Sequence, residues 1–325
     1  MREPVGLPAS APTVVIVGST ATGKSDLAVA LALALDGEVV NADAVGLYRG
    51  MDIGSAKLTP SARRGVAHHQ LDVLDVTQTA TVEAYQRHAR AAIRDVAARG
   101  RLPLLVGGSG LYVSAVLLPL TFPGTDAAVR ARLEAELASA GPSVLHARLT
   151  AVDPAAAAVI PPANGRRVVR ALEVVELTGR PFTARLPPPR SGSDPPLVIG
   201  LDLPRDVLHA RIEARVRWMF TAGLVEETRG LVGAGLRDGV TARRALGYSQ
   251  VLDLFDGNLD EPGAVTATVA ATRRFGRRQT SWFRRDAATV WLPADAPDLL
   301  ERALALVATR PRRTGEAVRP ASGIA

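Results

Sequence analysis

The chain has 325 residues, 47% of them hydrophobic, enough apolar material for a cooperative α/β core with an added subdomain and too much for a disordered polymer. It holds no cysteine, which removes disulfides, thiolate catalysis and Cys-ligated zinc, and no run of about eighteen apolar residues, which removes a membrane-spanning helix. A formal charge of +7 and a pI near 10.6 favour a polyanionic partner, and the surplus is local, with Arg273, Arg274, Arg277, Arg278, Arg284 and Arg285 crowded into one stretch.

Met1 to Pro12 lack the basic, apolar and cleavable succession of a secretory leader, so a cytoplasmic location is expected. Thr13 to Val17 is a short β-branched run broken by glycine, and the Ala- and Leu-rich stretch Lys24 to Leu35 reads as a helix. Glu38 to Asn41 reads as a second strand. In Thr81 to Ala98, Val82, Tyr85, Ala89, Ile93 and Val96 recur at spacings of three and four, which predicts a helix. Leu102 to Val106 is a third strand, running through Gly107-Gly108-Ser109-Gly110 into a helix from about Leu111. Strands alternating with helices imply a parallel sheet covered on both faces.

Past Leu120 the strand signal stops. Asp126 to Ala140, Ser143 to Leu149, Ala155 to Ile160 and Arg166 to Leu177 read as helices divided by proline and glycine. Pro187 to Pro196 is a Pro/Ser/Gly linker. Leu197 to Leu203 returns as a strand, Arg205 to Arg285 is a long helical region, and Val290 to Leu292 closes the sheet. The expected class is α/β: a P-loop-type parallel sheet with helices on both faces plus a helical insertion subdomain. Its parts are 1–121 for the first portion of the core, 122–190 for the insertion, 191–310 for the second portion with its Arg-rich helices, and 311–325 for a disordered tail.

Gly18-Ser19-Thr20-Ala21-Thr22-Gly23-Lys24-Ser25 fits G-x-x-x-x-G-K-[ST] in full, between an apolar strand and a helix. The glycines let successive backbone N–H groups turn toward phosphate oxygens, and the helix N-terminus adds partial positive charge. Lys24 supplies a point charge, and the Ser25 hydroxyl can coordinate Mg2+. No Asn-Lys-x-Asp is present to read guanine, and the strand Leu102 to Val106 ends in glycine where a motor ATPase would place an aspartate. A small-molecule kinase binding ATP, or a transferase using the loop for pyrophosphate, remains. The five histidines show no metalloprotease spacing and read as loop or core residues.

In an open parallel sheet, ligands sit beyond the carboxyl ends of the strands. Asp43 follows one such end and Ser109 another, which would bring a carboxylate and a hydroxyl near a bound phosphate. Either residue could instead cap the turn or helix that follows it. Arg167 and Arg170 share one helix face, and Arg273, Arg277 and Arg284 share another, with Arg278 and Arg285 beside them; RNA contact and a solvated basic face are both open. Trp282 suits an RNA stack or, better, a core anchor.

These blocks resemble the tRNA dimethylallyltransferase (tRNA isopentenyltransferase) family in its bacterial form. The match runs through Gly18 to Ser25, Asn41-Ala42-Asp43, Tyr48-Arg49-Gly50-Met51-Asp52-Ile53-Gly54-Ser55-Ala56-Lys57, Leu104 to Tyr112, Arg167 to Val174, Gly247-Tyr248 and Arg277 to Arg284. The resemblance implies that dimethylallyl diphosphate binds with its pyrophosphate in the loop, assisted by Mg2+. The exocyclic amine of the adenosine immediately 3′ of a tRNA anticodon then attacks the allylic carbon. It places the catalytic aspartate at Asp43 and a helix-starting hydroxyl at Ser109. It also implies tRNA contacts from Asp43, Ala44, Val45, Gly46, Arg167, Arg170, Gly247, Tyr248, Arg277, Arg278, Gln279, Trp282 and Arg284. Three places depart from the family: Ala44 stands where a serine is usual, Gly46 where a glutamine is, and Ser249 where a basic residue is commoner. A monomer is expected. A P-loop kinase using ATP on a small acceptor is the rival reading, and an RNA-binding nucleotide sensor a third, which leaves Asp43 and Ser109 without a role.

Overall fold

A computed structural model describes residues 14–120, 122–182 and 196–309. The tail expected from 311, and the linker from 187 up to 195, lie outside the described residues.

The chain builds β1 (Val14–Gly18), α1 (Lys24–Leu35), β2 (Gly37–Asn41), β3 (His68–His69), α2 (Val82–Ala98), β4 (Leu102–Val106) and α3 (Gly110–Leu117). Then come α4 (Ala127–Ala140), α5 (Pro142–Val152), α6 (Pro154–Ala157) and α7 (Gly165–Thr178). β5 (Leu197–Asp202), α8 (Arg205–Thr221), α9 (Leu224–Gly233), α10 (Tyr248–Phe255), α11 (Glu261–Phe283), β6 (Val290–Pro293) and α12 (Leu299–Ala308) complete it.

The six strands form one sheet in the order β3-β2-β4-β1-β5-β6, every pairing parallel. A parallel sheet buried on both faces needs near-continuous apolar strands, and β1 shows why: Val14, Val15, Ile16 and Val17 are all buried. Alternate side chains go to opposite faces. Val15, Val17, Val40 and Leu105 pack with Tyr85, Ala89 and Ile93 of α2 and Tyr112 of α3. Val14, Ile16, Val39 and Leu104 pack with Leu27 and Leu31 of α1 and Ala303 of α12. Helices therefore cover both faces, as expected.

The long helical region resolves into α8 to α11, which build a further cluster. Ile212, Val216, Met219, Leu224, Tyr248 and Val251 enclose Tyr48 and Met51 from the segment after β2. Two elements were not expected. β3 is two residues long, its His69 bonded to Glu38 at 2.7 Å; α12 follows the last strand. Residues 119–182 of the described chain form a separate compact unit with a core of Leu133, Leu145, Leu149, Ile160, Val168 and Leu172. Inside it the buried Glu173 carboxylate takes Arg130 and Arg170, and Asp126 caps α4 by accepting from Ala128 and Val129. Among the described residues no helix is long and apolar enough to cross a membrane.

Candidate active site

β1, β4 and β2 are neighbours, so the loops leaving their carboxyl ends converge. Ser19 to Gly23 turn out of β1, and Gly23 sits at φ 83°, in the left-handed region that glycine adopts without cost. A side chain at Gly107 would run into the Ala42 backbone, so glycine there lets the β4 and β2 loops touch. Ser109 N–H and Ala42 O join at 3.3 Å across that contact.

A cavity of about 230 Å³ opens above this edge, lined by Thr20, Lys24, Ser25, Asp43 and Arg215, with Gln279 at its floor. A second, more apolar cavity of about 410 Å³ adjoins it, lined by Ser109, Tyr112, Val216, Met219, Phe275 and Arg278 among others. Thr20, Asp43, Ser55, Ala56 and Arg215 border both. Asp43 therefore stands at the seam between a polar, phosphate-loop chamber and an apolar one.

Asp43 is held by its neighbours. Its backbone N–H donates to Asn41 Oδ1 at 3.0 Å, its carbonyl accepts from Asn41 Nδ2 at 2.9 Å, and its Oδ1 accepts from the Val45 N–H at 3.0 Å. One carboxylate oxygen thus caps the following turn, while Oδ2 takes no hydrogen bond among the described residues and is left for an incoming donor. Ser109 occupies the N-cap position of α3 without capping it; its hydroxyl accepts from the Ala44 N–H at 3.2 Å. That bond ties the Ser109 loop to the residue beside Asp43. Tyr112, stacked on Tyr85 at 4.3 Å, has its phenol pushed up to about 12 by burial and by the nearby Tyr48 and Asp43.

Lys24 donates to the Ser19 carbonyl at 2.6 Å. Burial pulls its pKa down to about 8, Asp43 opposes that shift, and Arg215 adds to it. Two cations and a carboxylate therefore converge on one chamber, with the balance suited to a polyanion. Arg215, on α8, donates to the Thr20 hydroxyl at 3.4 Å, and burial lowers its pKa too. Sequence reasoning did not single it out. The only sign in the chain is its place on the helix after β5, and that β5 lies beside the phosphate-loop strand is visible only in three dimensions.

Comparison with known proteins shows the family. The family model described as IPP transferase matches residues 46–286. A tRNA dimethylallyltransferase of Thermobifida fusca is 62% identical over 299 residues, covering 90% of this chain and 93% of that protein. One of Kineococcus radiotolerans is 61% identical over 306 residues, covering 91% and 96%. The chain belongs to the IPP transferase family. Among solved structures, the full-length tRNA isopentenylpyrophosphate transferase of Bacillus halodurans aligns with a TM-score of 0.66 at 39% identity, covering 91% of this chain and 96% of that one.

Within this family member the residues expected to touch RNA divide by burial. Ala44 and Val45 border the apolar cavity and Gly46 the polar one. Arg278 is exposed at the apolar cavity, its guanidinium 5.7 Å from the Phe275 ring. Arg277 is exposed and makes no ion pair among the described residues. Arg284 pairs with Asp202 and lies 4.3 Å over the Trp291 ring. On α7, Arg167 is exposed, while Arg170 holds Glu173 and the Pro123 and Gly124 carbonyls.

Four of the residues expected to touch RNA, Gly247, Tyr248, Gln279 and Trp282, are wholly or partly buried. Tyr248 is fully buried, its hydroxyl donating to Glu227 at 2.6 Å, so it has no surface to offer RNA. Gly247 beside it is buried at φ 87°, starting α10. Gln279 is 4% exposed and bonds Thr20 and Gly108, which makes it a strut under the loops. Trp282 packs on Gly110, where any side chain would meet its ring, which favours the core reading over an RNA stack.

Proposed function

We propose that this chain transfers the dimethylallyl group of dimethylallyl diphosphate to the exocyclic N6 amine of the adenosine 3′-adjacent to the anticodon in tRNA, giving N6-isopentenyladenosine. The observation that carries this reading is the pair of cavities meeting at Asp43. The polar chamber suits a diphosphate, held by the loop amides, Lys24, Arg215 and the Thr20 and Ser25 hydroxyls. The apolar chamber suits a prenyl chain and an unstacked purine, which must leave its helix to reach such a site.

The chemistry follows from those positions. The adenine amine forms a bond to the allylic carbon, the carbon–oxygen bond to the diphosphate breaks, and the pyrophosphate departs with that electron pair. Asp43 Oδ2 takes the proton the amine must lose. Lys24, Arg215 and the loop N–H groups stabilise the charge that collects on the leaving group. The Ser25 hydroxyl, exposed beside Lys24, is a hard oxygen donor of the kind that would hold Mg2+. Bound there, Mg2+ would supply further neutralisation of the leaving group. A monomer in the cytoplasm is the matching proposal for assembly and location.

Incubation with Mg2+, dimethylallyl diphosphate and unmodified tRNA, followed by nucleoside mass analysis, tests the assignment. Isopentenyladenosine in the tRNA is the expected product. Prenylation of free AMP but not tRNA would refute the acceptor, and turnover of ATP with a small acceptor instead would refute the reaction.

A further inference from the structure

One face of α11 braces both loops of the site. Gly276, Gln279 and Phe283 recur at three and four residues, the spacing of a single helix face, and all are buried. Gly276 lies against the phosphate loop, where a Cβ would stand 2.6 Å from the Ser19 hydroxyl. Gln279 accepts from the Thr20 N–H at 2.8 Å and donates to the Gly108 carbonyl at 3.0 Å. Its carboxamide is therefore engaged on both sides by groups far away in the chain.

Each partner leads to a reacting side chain. The Thr20 hydroxyl accepts from Arg215 at the seam of the two cavities, on the leaving-group side. Gly108 precedes Ser109, whose hydroxyl takes the Ala44 N–H next to Asp43, on the base side. A side chain at Gly108 would collide with the Gln279 amide, so that loop approaches the amide as closely as a backbone can.

We propose that Gln279 is a positioning residue for the transfer: it holds the phosphate loop and the Asp43–Ser109 pair at the spacing in which the allylic carbon and the adenine amine meet. This rests on the transfer reaction proposed above. Gln279 acts through Thr20 and Gly108, not on the substrate. Losing it loosens the distance between the two sides and leaves the binding groups of each side in place. A misplacement on the order of 1 Å between reacting groups costs about 100-fold in rate. It also admits water, which can attack the allylic carbon in place of the amine, releasing dimethylallyl alcohol and pyrophosphate.

The test compares full-length Gln279→Met and Gln279→Glu with the unsubstituted protein, using dimethylallyl diphosphate, Mg2+ and tRNA. Gln279→Met fills the same space without either hydrogen bond. Its kcat should fall about 100-fold, with the KM for dimethylallyl diphosphate and the Kd for tRNA shifting less than about 3-fold. The share of substrate released as dimethylallyl alcohol should rise. Gln279→Glu restores both bonds only while its carboxyl is protonated, since the ionised group accepts from Thr20 but cannot donate to Gly108. Its rate relative to the unsubstituted protein should therefore decline as pH rises. A kcat per folded molecule equal to that of the unsubstituted protein, or a loss confined to KM, would overturn the proposal. Should Gln279→Met not fold, a Gln279→Glu pH profile parallel to that of the unsubstituted protein would overturn it by itself. No transfer by the unsubstituted protein would overturn the reaction assignment instead, so the two failures are distinct.

Discussion

Lys24 carries a charge whose environment disfavours it until a ligand arrives. Burial lowers its pKa to about 8 from an ordinary 10.5, with Asp43 opposing and Arg215 adding. Between those values the folded chain binds fewer protons than the unfolded one, so this residue adds stability as pH rises through that window. Below about 8 both states are protonated, and burial of the ammonium is a standing cost. A bound diphosphate reverses the preference. At about pH 9 its binding should be accompanied by uptake of close to one proton, and at about pH 7 by almost none. Calorimetry in two buffers of different ionisation heat reads that count, and equal counts at both pH values would contradict the role given to Lys24. Asp43 is tested by Asp43→Asn, which keeps the shape and removes the base. Loss of general-base assistance should lower kcat about 10²- to 10⁴-fold, while tRNA affinity measured by filter binding changes little.

At the scale of elements, the most specific sequence blocks turn out to be packing devices. The Glu227 carboxylate on α9 accepts from the backbone N–H groups of Asp52, Ile53 and Gly54 and from the Tyr248 hydroxyl. The Tyr248 ring lies so close to Gly54 that a Cβ there would sit 2.5 Å from it. Met51-Asp52-Ile53-Gly54 and Gly247-Tyr248, separate in the chain, are thus two halves of one knot. Lys57 secures the same segment, its buried ammonium donating to the Tyr48 carbonyl, Asp52 and Asp72. Tyr248→Phe should cost about 1.5–3 kcal/mol in urea unfolding, the range for a hydrogen bond to a charged group. It should leave tRNA affinity unchanged; a weakened Kd with unchanged stability would restore Tyr248 to the RNA surface.

The same knot shows what the chain makes legible. Short apolar runs announced β1, β2, β4, β5 and β6, because strands of a parallel sheet covered by helices need apolar side chains at their centres, and the stripe from Val82 to Val96 announced α2. The two-residue β3 has no period to read. α12 carries Leu299, Leu300, Ala303, Leu304 and Val307 at helical spacing, a signal present in the chain but set beside a charged tail. That the loop from Gly18 to Ser25 and Asp43 follow strand ends was readable, because apolar runs mark those ends. Arg215 was not, since strand order brings β5 beside β1. A buried tyrosine bonded to a carboxylate and a surface tyrosine facing RNA look alike in one dimension.

For the whole molecule, the net charge of +7 resolves into arginines with different duties. Arg273 is held by Glu213 and Arg284 by Asp202, whereas Arg274 and Arg277 on α11 are exposed without an ion pair among the described residues. Binding of tRNA through such groups releases counterions, so affinity should fall steeply as salt rises. Arg277→Ala should flatten the slope of log K against log salt by about 1 without altering kcat at saturating tRNA. An unchanged slope would remove Arg277 from the interface. The diphosphate cradle and the acidic side chain should serve one chamber, which a crystal structure of the protein with dimethylallyl thiodiphosphate, whose bridging sulfur resists cleavage, can test. The diphosphate is expected on the amides of Ala21 to Ser25 with Lys24 and Arg215, its allylic carbon turned toward Asp43 and the apolar cavity. A diphosphate bound elsewhere, or an allyl chain directed away from Asp43, would contradict it.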